Sequence, residues 1–221
     1  MTNLRNILIL FAIVLSGCIK HADNDPMTLL DLGILNHYGS GYMIITDGGN
    51  VLLAESIPVN IDFDDNARVS IQYRIIQRAP QNDSIQADYL VQVDGINELI
   101  TKEIITVDDN NRDTLGNAPV EFRQVWITQD FLTVYYSFYV GSKYHDFNLT
   151  YDIDEQADDE FIYLTFRHND NNDEEVQQYW AYVTFRLNSL RKEGQSEVKI
   201  HFRGKQNNEN DYIKSDLVYK Y

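Results

Sequence analysis

From residue 27 to the C-terminus, apolar residues recur at every second position. β-branched and aromatic side chains fill the runs between clusters of turn formers. A period of two sends alternate side chains to opposite faces of a strand, which favours sheets and leaves almost no room for helices. The expected fold class is therefore all-β. In the first half, strands are expected near 28–35, 41–46, 51–54, 67–77, 87–94 and 97–107. Asp47-Gly48-Gly49-Asn50 would form the tight turn joining the second and third. Val69, Ile71, Tyr73 and Ile75 alternate with Ser70, Gln72 and Arg74, giving one long strand a single apolar face.

Five or six strands in roughly eighty residues suit a small barrel, for which an OB-like arrangement is the natural candidate. Segment 108–119 concentrates turn formers and charge and is read as a linker. Beyond it, strands are expected near 121–128, 131–140, 146–152, 160–168, 179–187, 196–203 and 212–220, spaced as in an antiparallel β-sandwich. The division is thus an OB-like barrel over 27–107, a linker over 108–119 and a sandwich over 120–221. The expected sandwich core comprises Leu132, Val134, Tyr136, Phe138 and Val140; Ile162, Leu164 and Phe166; Ala181, Val183, Phe185 and Leu187; and Val198, Ile200 and Phe202.

The loop from Asn169 to Gln178 separates two strongly alternating strands, which predicts a hairpin with 168 opposite 179. Its buried face would set Ile162 beside Phe185 and Leu164 beside Val183. Its outer face would set Arg167 beside Trp180, Thr165 beside Tyr182, and Phe161 beside Arg186. Phe161, Arg167, Trp180 and Tyr182 are the candidate ligand surface, because rings flanked by polar hydrogen-bonding groups make platforms for sugars. The alternative is that this face packs on the other domain or is held by cross-strand aromatic and cation–π pairs alone.

The N-terminus carries an address. Arg5 gives a short positive start, Ile7 to Leu15 is an unbroken apolar run, and Leu15-Ser16-Gly17-Cys18 matches the lipobox of lipoprotein signal peptidase. The run is too short for a permanent membrane span. Residues 1–17 are therefore read as a signal peptide, with Cys18 as the lipidation site and 18–26 as a polar tether. Acyl chains such as palmitate on Cys18 would hold the protein to the membrane at about 0.8 kcal/mol per buried methylene. The expected location is the bacterial outer membrane, facing either the periplasm or the cell surface. Acidic residues in the tether resemble a surface-export signal, and a plain solvated linker fits equally.

The formal charge is −16, and removing residues 1–17 leaves 17 basic against 34 acidic side chains. So negative a field repels nucleic acid, which is excluded as a partner. Cys18 is the only cysteine, so an internal disulfide or a cysteine-rich zinc site is excluded too. No nucleophile elbow, phosphate loop, dinucleotide fingerprint or zinc-protease motif occurs. His21, His37, His145, His168 and His201 are scattered, and structural or surface roles are assigned to them. Two acidic segments, Asp109-Asn111-Asp113 and Asp170 to Glu175, could offer oxygens to calcium but lack the full loop pattern, and both are read as solvated turns. No cofactor, metal or catalytic residue is expected. Asp83-Ser84-Ile85 and Asp113-Thr114-Leu115 resemble a bacterial O-glycosylation sequon.

The order of short motifs is distinctive: the lipobox, Asp113-Thr114-Leu115-Gly116-Asn117-Ala118-Pro119-Val120, Trp126, Tyr163-Leu164-Thr165-Phe166-Arg167-His168-Asn169 and Val183-Thr184-Phe185. Together they resemble the NigD-like lipoproteins over essentially the whole chain after residue 18. Ala118 departs from the acidic residue of many relatives. The resemblance implies an N-terminal OB-type domain, a C-terminal β-sandwich and no established catalytic residues. The family name, taken from a bacteriocin-associated gene cluster, implies an immunity or envelope-protection role as an alternative. The leading expectation is a non-enzymatic module that binds a protein or a glycan.

Overall fold

The computed structural model describes residues 27–58, 63–80, 86–206 and 211–221. Cys18, the tether to residue 26 and the Asp83-Ser84-Ile85 sequon lie outside the described residues. Among those described, the only helical pieces are three short 3-10 turns.

Strands β1 (Leu29–Tyr38), β2 (Gly41–Thr46), β3 (Val51–Ala54), β4 (Ala67–Arg78) and β5 (Tyr89–Glu98) close a barrel in the order β1-β2-β3-β5-β4. β4 returns to β1, and β3 runs parallel to β5. That order is the OB arrangement. The predicted alternation on β4 holds: Val69, Ile71 and Tyr73 are buried beside Leu35, Ile44, Leu52, Val91 and Val93. Register shifts between Gln72 and Tyr73 and between Ile75 and Gln77 insert extra residues that bend the β4–β5 ladder, as a closed barrel requires.

The stretch read as one strand over 97–107 breaks at Leu99-Ile100. β5 ends at Glu98, and β6 (Thr101–Glu103) and β7 (Ile105–Thr106) leave the barrel for the other unit. There β6 lies parallel to β12 (Gln177–Arg186), and β7 lies parallel to β10 (Asp146–Tyr151). One sheet has the order β6-β12-β9-β8, with β8 at Glu121–Thr128 and β9 at Phe131–Val140. The other has the order β14-β13-β11-β10-β7, with β11 at Phe161–Asn169, β13 at Glu197–Gln206 and β14 at Asp211–Lys220. The sandwich is therefore mixed, since β11 and β13 also run parallel.

The predicted β11–β12 hairpin is not formed. The two strands belong to opposite sheets: β11 pairs with β10 and β13, and β12 pairs with β9 and β6. Ile162, Leu164 and Phe166 meet Val183 and Phe185 across the interior. Inward alternation is the same whether two strands are neighbours or face each other, so the pattern alone could not separate the cases.

The 108–119 segment is docked along the sandwich. Arg112 is ion-paired with the buried carboxylate of Asp152, Asn169 Nδ2 donates to the Thr114 carbonyl, and Ala118 N–H donates to the His168 carbonyl. Gly116 has φ +69°, and a Cβ there would lie 2.5 Å from the Asn169 backbone, so glycine is required twice over.

Barrel and sandwich meet around Arg68, whose side chain is fully buried. Its guanidinium grips Asp47, in the β2–β3 turn, at 2.6 and 2.8 Å, and donates to Thr133 Oγ1 on β9 at 3.0 Å. Asp47 also accepts the Trp126 indole N–H from β8 at 2.8 Å. A bidentate pair with further donors is the geometry in which a buried charge is tolerated.

Candidate functional site

The four residues predicted to share one face do not do so. Trp180 and Tyr182 stand on the outer face of the four-stranded sheet. Phe161 and Arg167 belong to β11 in the opposite sheet. Phe161 lines a separate cavity of about 530 Å³ with Tyr151 and Arg191, while Arg167 pairs with Glu155 at 3.1 Å. The assumed hairpin joined two surfaces that lie on opposite sides of the sandwich.

Around Trp180 and Tyr182 the register brings in partners that sequence reasoning missed. β12 pairs with β9 so that Tyr182 lies beside Tyr135 and Trp180 beside Ser137. The Tyr135 and Tyr182 rings stack at 4.5 Å and 16°, Trp180 leans on Tyr135 at 5.5 Å, and Trp126 meets Tyr182 edge-on at 6.4 Å. The Arg123 guanidinium covers the Trp180 ring at 4.5 Å. The result is a ladder, Trp126–Tyr182–Tyr135–Trp180–Arg123. It starts at the domain junction with three half-buried rings and ends at Trp180, which is 44% exposed. Glu121 accepts from Ser137 and Gln178 beside it, so the platform has a polar margin. Tyr135 is visible in sequence as the outward partner of the Val134–Tyr136 alternation, but only the pairing shows which ring it meets.

A second feature lies where the two sheets part at the end carrying the β9–β10 and β11–β12 connections. A cleft of about 260 Å³ opens there, lined by Phe138, Tyr139, His145, His168, Asp173 and Gln178 among others. His168 continues the inward face of β11 beyond Phe166 and stacks on Phe147 at 4.5 Å and 13°. His145 Nδ1 lies 2.8 Å from His168 Nε2, and both rings are buried. Burial, and then the charge of His145, lower the affinity of His168 for a proton, to a pKa of about 4. Asp173 lies 3.2 Å from His145 Nε2 and accepts the Gly141 and Ser142 amides at 2.6 and 3.0 Å. Burial pushes the Asp173 carboxyl up, but the amides of Ser142, Gly141 and Lys143, together with His145, outweigh it and hold the group well below the usual range. Asp173 belongs to a segment expected to be a solvated acidic turn, yet its side chain is only 2% exposed and ties the two connections together. The proximity of His145 to His168 follows from Phe147 pairing with His168 across β10–β11, a register that sequence separation hides. Among the described residues, no group of three or more histidine, cysteine and acidic side chains is placed to hold a metal ion.

The family model for the NigD-like C-terminal β-sandwich domain matches residues 103–217, just over half of the chain. The chain belongs to the NigD-like family. A comparison with curated proteins finds no match. Among solved structures, this NigD-like chain is similar to a protein of unknown function (DUF1344) from Bacteroides vulgatus, with a TM-score of 0.70, 17% identity, and 88% and 91% of the two chains covered. It is also similar to a protein described as toxin related from Parabacteroides distasonis (TM-score 0.68, 22% identity, 88% and 94% covered). A NigD-like immunity protein from Bacteroides caccae is similar at a TM-score of 0.62, with 20% identity and 86% and 92% covered. Identities this low establish the shared two-part fold and leave the ligand open.

Proposed function

We propose that this chain is a lipid-anchored, non-enzymatic envelope protein that docks a protein partner on the outer face of its four-stranded sheet. The observation that carries the reading is the half-exposed ladder of Tyr182, Tyr135 and Trp180 under Arg123. Tyrosine, tryptophan and arginine are the side chains that supply most of the binding energy at protein interfaces. A polar margin around such a centre is the usual arrangement. The lipobox at Cys18 supports anchoring, and among the described residues no helix is long and apolar enough to cross a membrane.

The test is a photo-crosslinking residue placed at exposed Gln124, beside Tyr135, in cells producing the full chain. A discrete protein adduct that is absent at a control position, Lys199, and is abolished by Trp180→Ala supports the reading. Absence of such an adduct, together with Trp180-dependent binding on a glycan array, transfers the face to carbohydrate recognition.

A second reading, immunity against a bacteriocin or toxin, is favoured by the similar structures described as an immunity protein and as toxin related. On this reading the protein partner is the toxin. Survival of a sensitive strain producing the chain, lost with Cys18→Ala, would support it. Equal killing with and without the chain would remove it.

A further inference from the structure

Three hydrogen bonds run in series at the closed end of the cleft. They join Asp173 Oδ2 to His145 Nε2 (3.2 Å), His145 Nδ1 to His168 Nε2 (2.8 Å), and His168 Nδ1 to the Pro119 carbonyl (3.3 Å). Each needs one proton between its heavy atoms. The Pro119 carbonyl can only accept. Asp173 is also only an acceptor, because its amide donors keep it ionised. All three protons therefore come from the imidazoles, and two neutral imidazoles carry one N–H each. The series would close with one proton more, His145 donating from both ring nitrogens while His168 accepts at Nε2 and donates from Nδ1. The reluctance of buried His168 to take its own proton agrees with this assignment.

We propose that His145 and His168 hold one excess proton between them, balanced by Asp173, and that this proton latches the β9–β10 and β11–β12 connections together over the cleft. The surrounding charges are consistent with it. From the β9–β10 connection, Lys143 turns to the Asn171 and Asn172 carbonyls at 2.9 and 2.7 Å. From the β11–β12 side, Asp170 and Glu175 line the same cleft, and from β8 Glu121 does so while paired with Arg123. On β10, Asp146 is committed to Lys102. The rings of Phe138 and Phe147 pack on the histidines and add no charge.

Removing the proton leaves two N–H groups for three gaps. The empty gap then falls between Asp173 and His145, between the two rings, or between His168 and the Pro119 carbonyl. Each case sets lone pairs against each other and cuts the series at one point. Adding a second proton instead drives two N–H groups together across 2.8 Å and breaks the middle bond. The latch is closed only in the singly protonated state, and it does not depend on the identity of any partner.

The test is 15N NMR of the histidine ring nitrogens in the full chain as pH is raised from neutral by about two units. At neutral pH, three of the four ring nitrogens should be protonated, with His168 Nε2 the bare one. One bare nitrogen on each ring at neutral pH overturns the proposal. Hydrogen exchange, corrected for intrinsic rate, reads the latch directly. The Gly141 and Ser142 amides should exchange about tenfold faster once the excess proton is lost, as removing one hydrogen bond predicts. Unchanged protection across that transition overturns the gating role. Asp173→Asn should leave both rings neutral at neutral pH, and the wild-type titration decides the matter by itself if that variant does not fold.

Discussion

Inside the barrel, the fully buried side chains Leu35, Ile44, Leu52, Val69 and Ile71 are aliphatic. Inside the sandwich, Phe166 alone packs against Phe122, Tyr136, Phe147, Phe185 and Phe202. The difference follows from the space each shape encloses. A five-stranded barrel closes on a narrow interior that branched aliphatic residues fill, whereas two stacked sheets about 10 Å apart leave a gap that rings can span. A wide interior also admits imidazoles at its end, which couples that half of the molecule to protons. In the barrel interior Tyr73 sends its hydroxyl to Asp31 at 2.8 Å, and burial followed by that carboxylate raises it further above the physiological range. The aliphatic interior should therefore be insensitive to mild acid, with the response of the barrel confined to surface groups such as the His37–Asp65 pair, and the interior of the aromatic half should respond.

Uncoupling the two halves should have the largest effect. Arg68→Ala leaves the partly buried Asp47 at the junction with the Trp126 indole but without its cationic partner, and should cost about 3 kcal/mol. Urea denaturation should then show two transitions where the wild type shows one. A single transition with little loss of stability would mean that other contacts couple the halves.

Acid should act next, and on the sandwich. The unfolded His168 ring takes its proton near the ordinary value of 6.5, while the folded ring takes it only near about 4. Between those values the unfolded chain binds the extra proton, so the contribution of His168 to stability falls as pH drops through the window and is flat above it. The loss should reach about 3 kcal/mol at most. Trp126 and Trp180 both lie in the sandwich, so tryptophan fluorescence during denaturation reports this half directly. His168→Asn should flatten the slope.

Steric substitution sharpens the contrast at smaller scale. A Cβ at Gly204 on β13 would lie 2.2 Å from Phe122 Cζ, so Gly204→Ala must push that ring away from Phe166 and Phe202. An overpacking cost of about 1–3 kcal/mol is expected in the midpoint of denaturation. In the barrel, Ile71→Val removes one methylene from an aliphatic site and should cost about 1 kcal/mol, with no dependence on pH between 4 and 7. A pH-dependent difference there would refute the division between the halves.

What could be read from the sequence was local. The alternation of Val69, Ile71 and Tyr73 named the inward face of β4 because only that face fits a barrel interior. Asp47 to Asn50 named the β2–β3 turn because Gly49 supplies the left-handed backbone, φ +86°, that the turn needs. Pairing partners were not legible. β11 and β12 have matching inward faces and a connection long enough either to turn back or to cross between sheets, and they cross. That single misassignment joined Phe161 and Arg167 to Trp180 and Tyr182 and concealed Tyr135 and Arg123. The meeting of His145 with His168 and Asp173 depends on two such crossings, so no spacing in the chain announces it.

The six residues from Thr101 to Thr106, delivered by the barrel exit, lay one short strand along the margin of each sheet. A fragment cut at residue 103 would lose most of β6 and strip the cover from the edge of β12, inviting pairing with other copies. The sandwich is therefore not a freely transferable module beginning at its first long strand. Any recombination that exchanges the barrel must carry this short segment with the sandwich, or pass on a molecule with an adhesive flank.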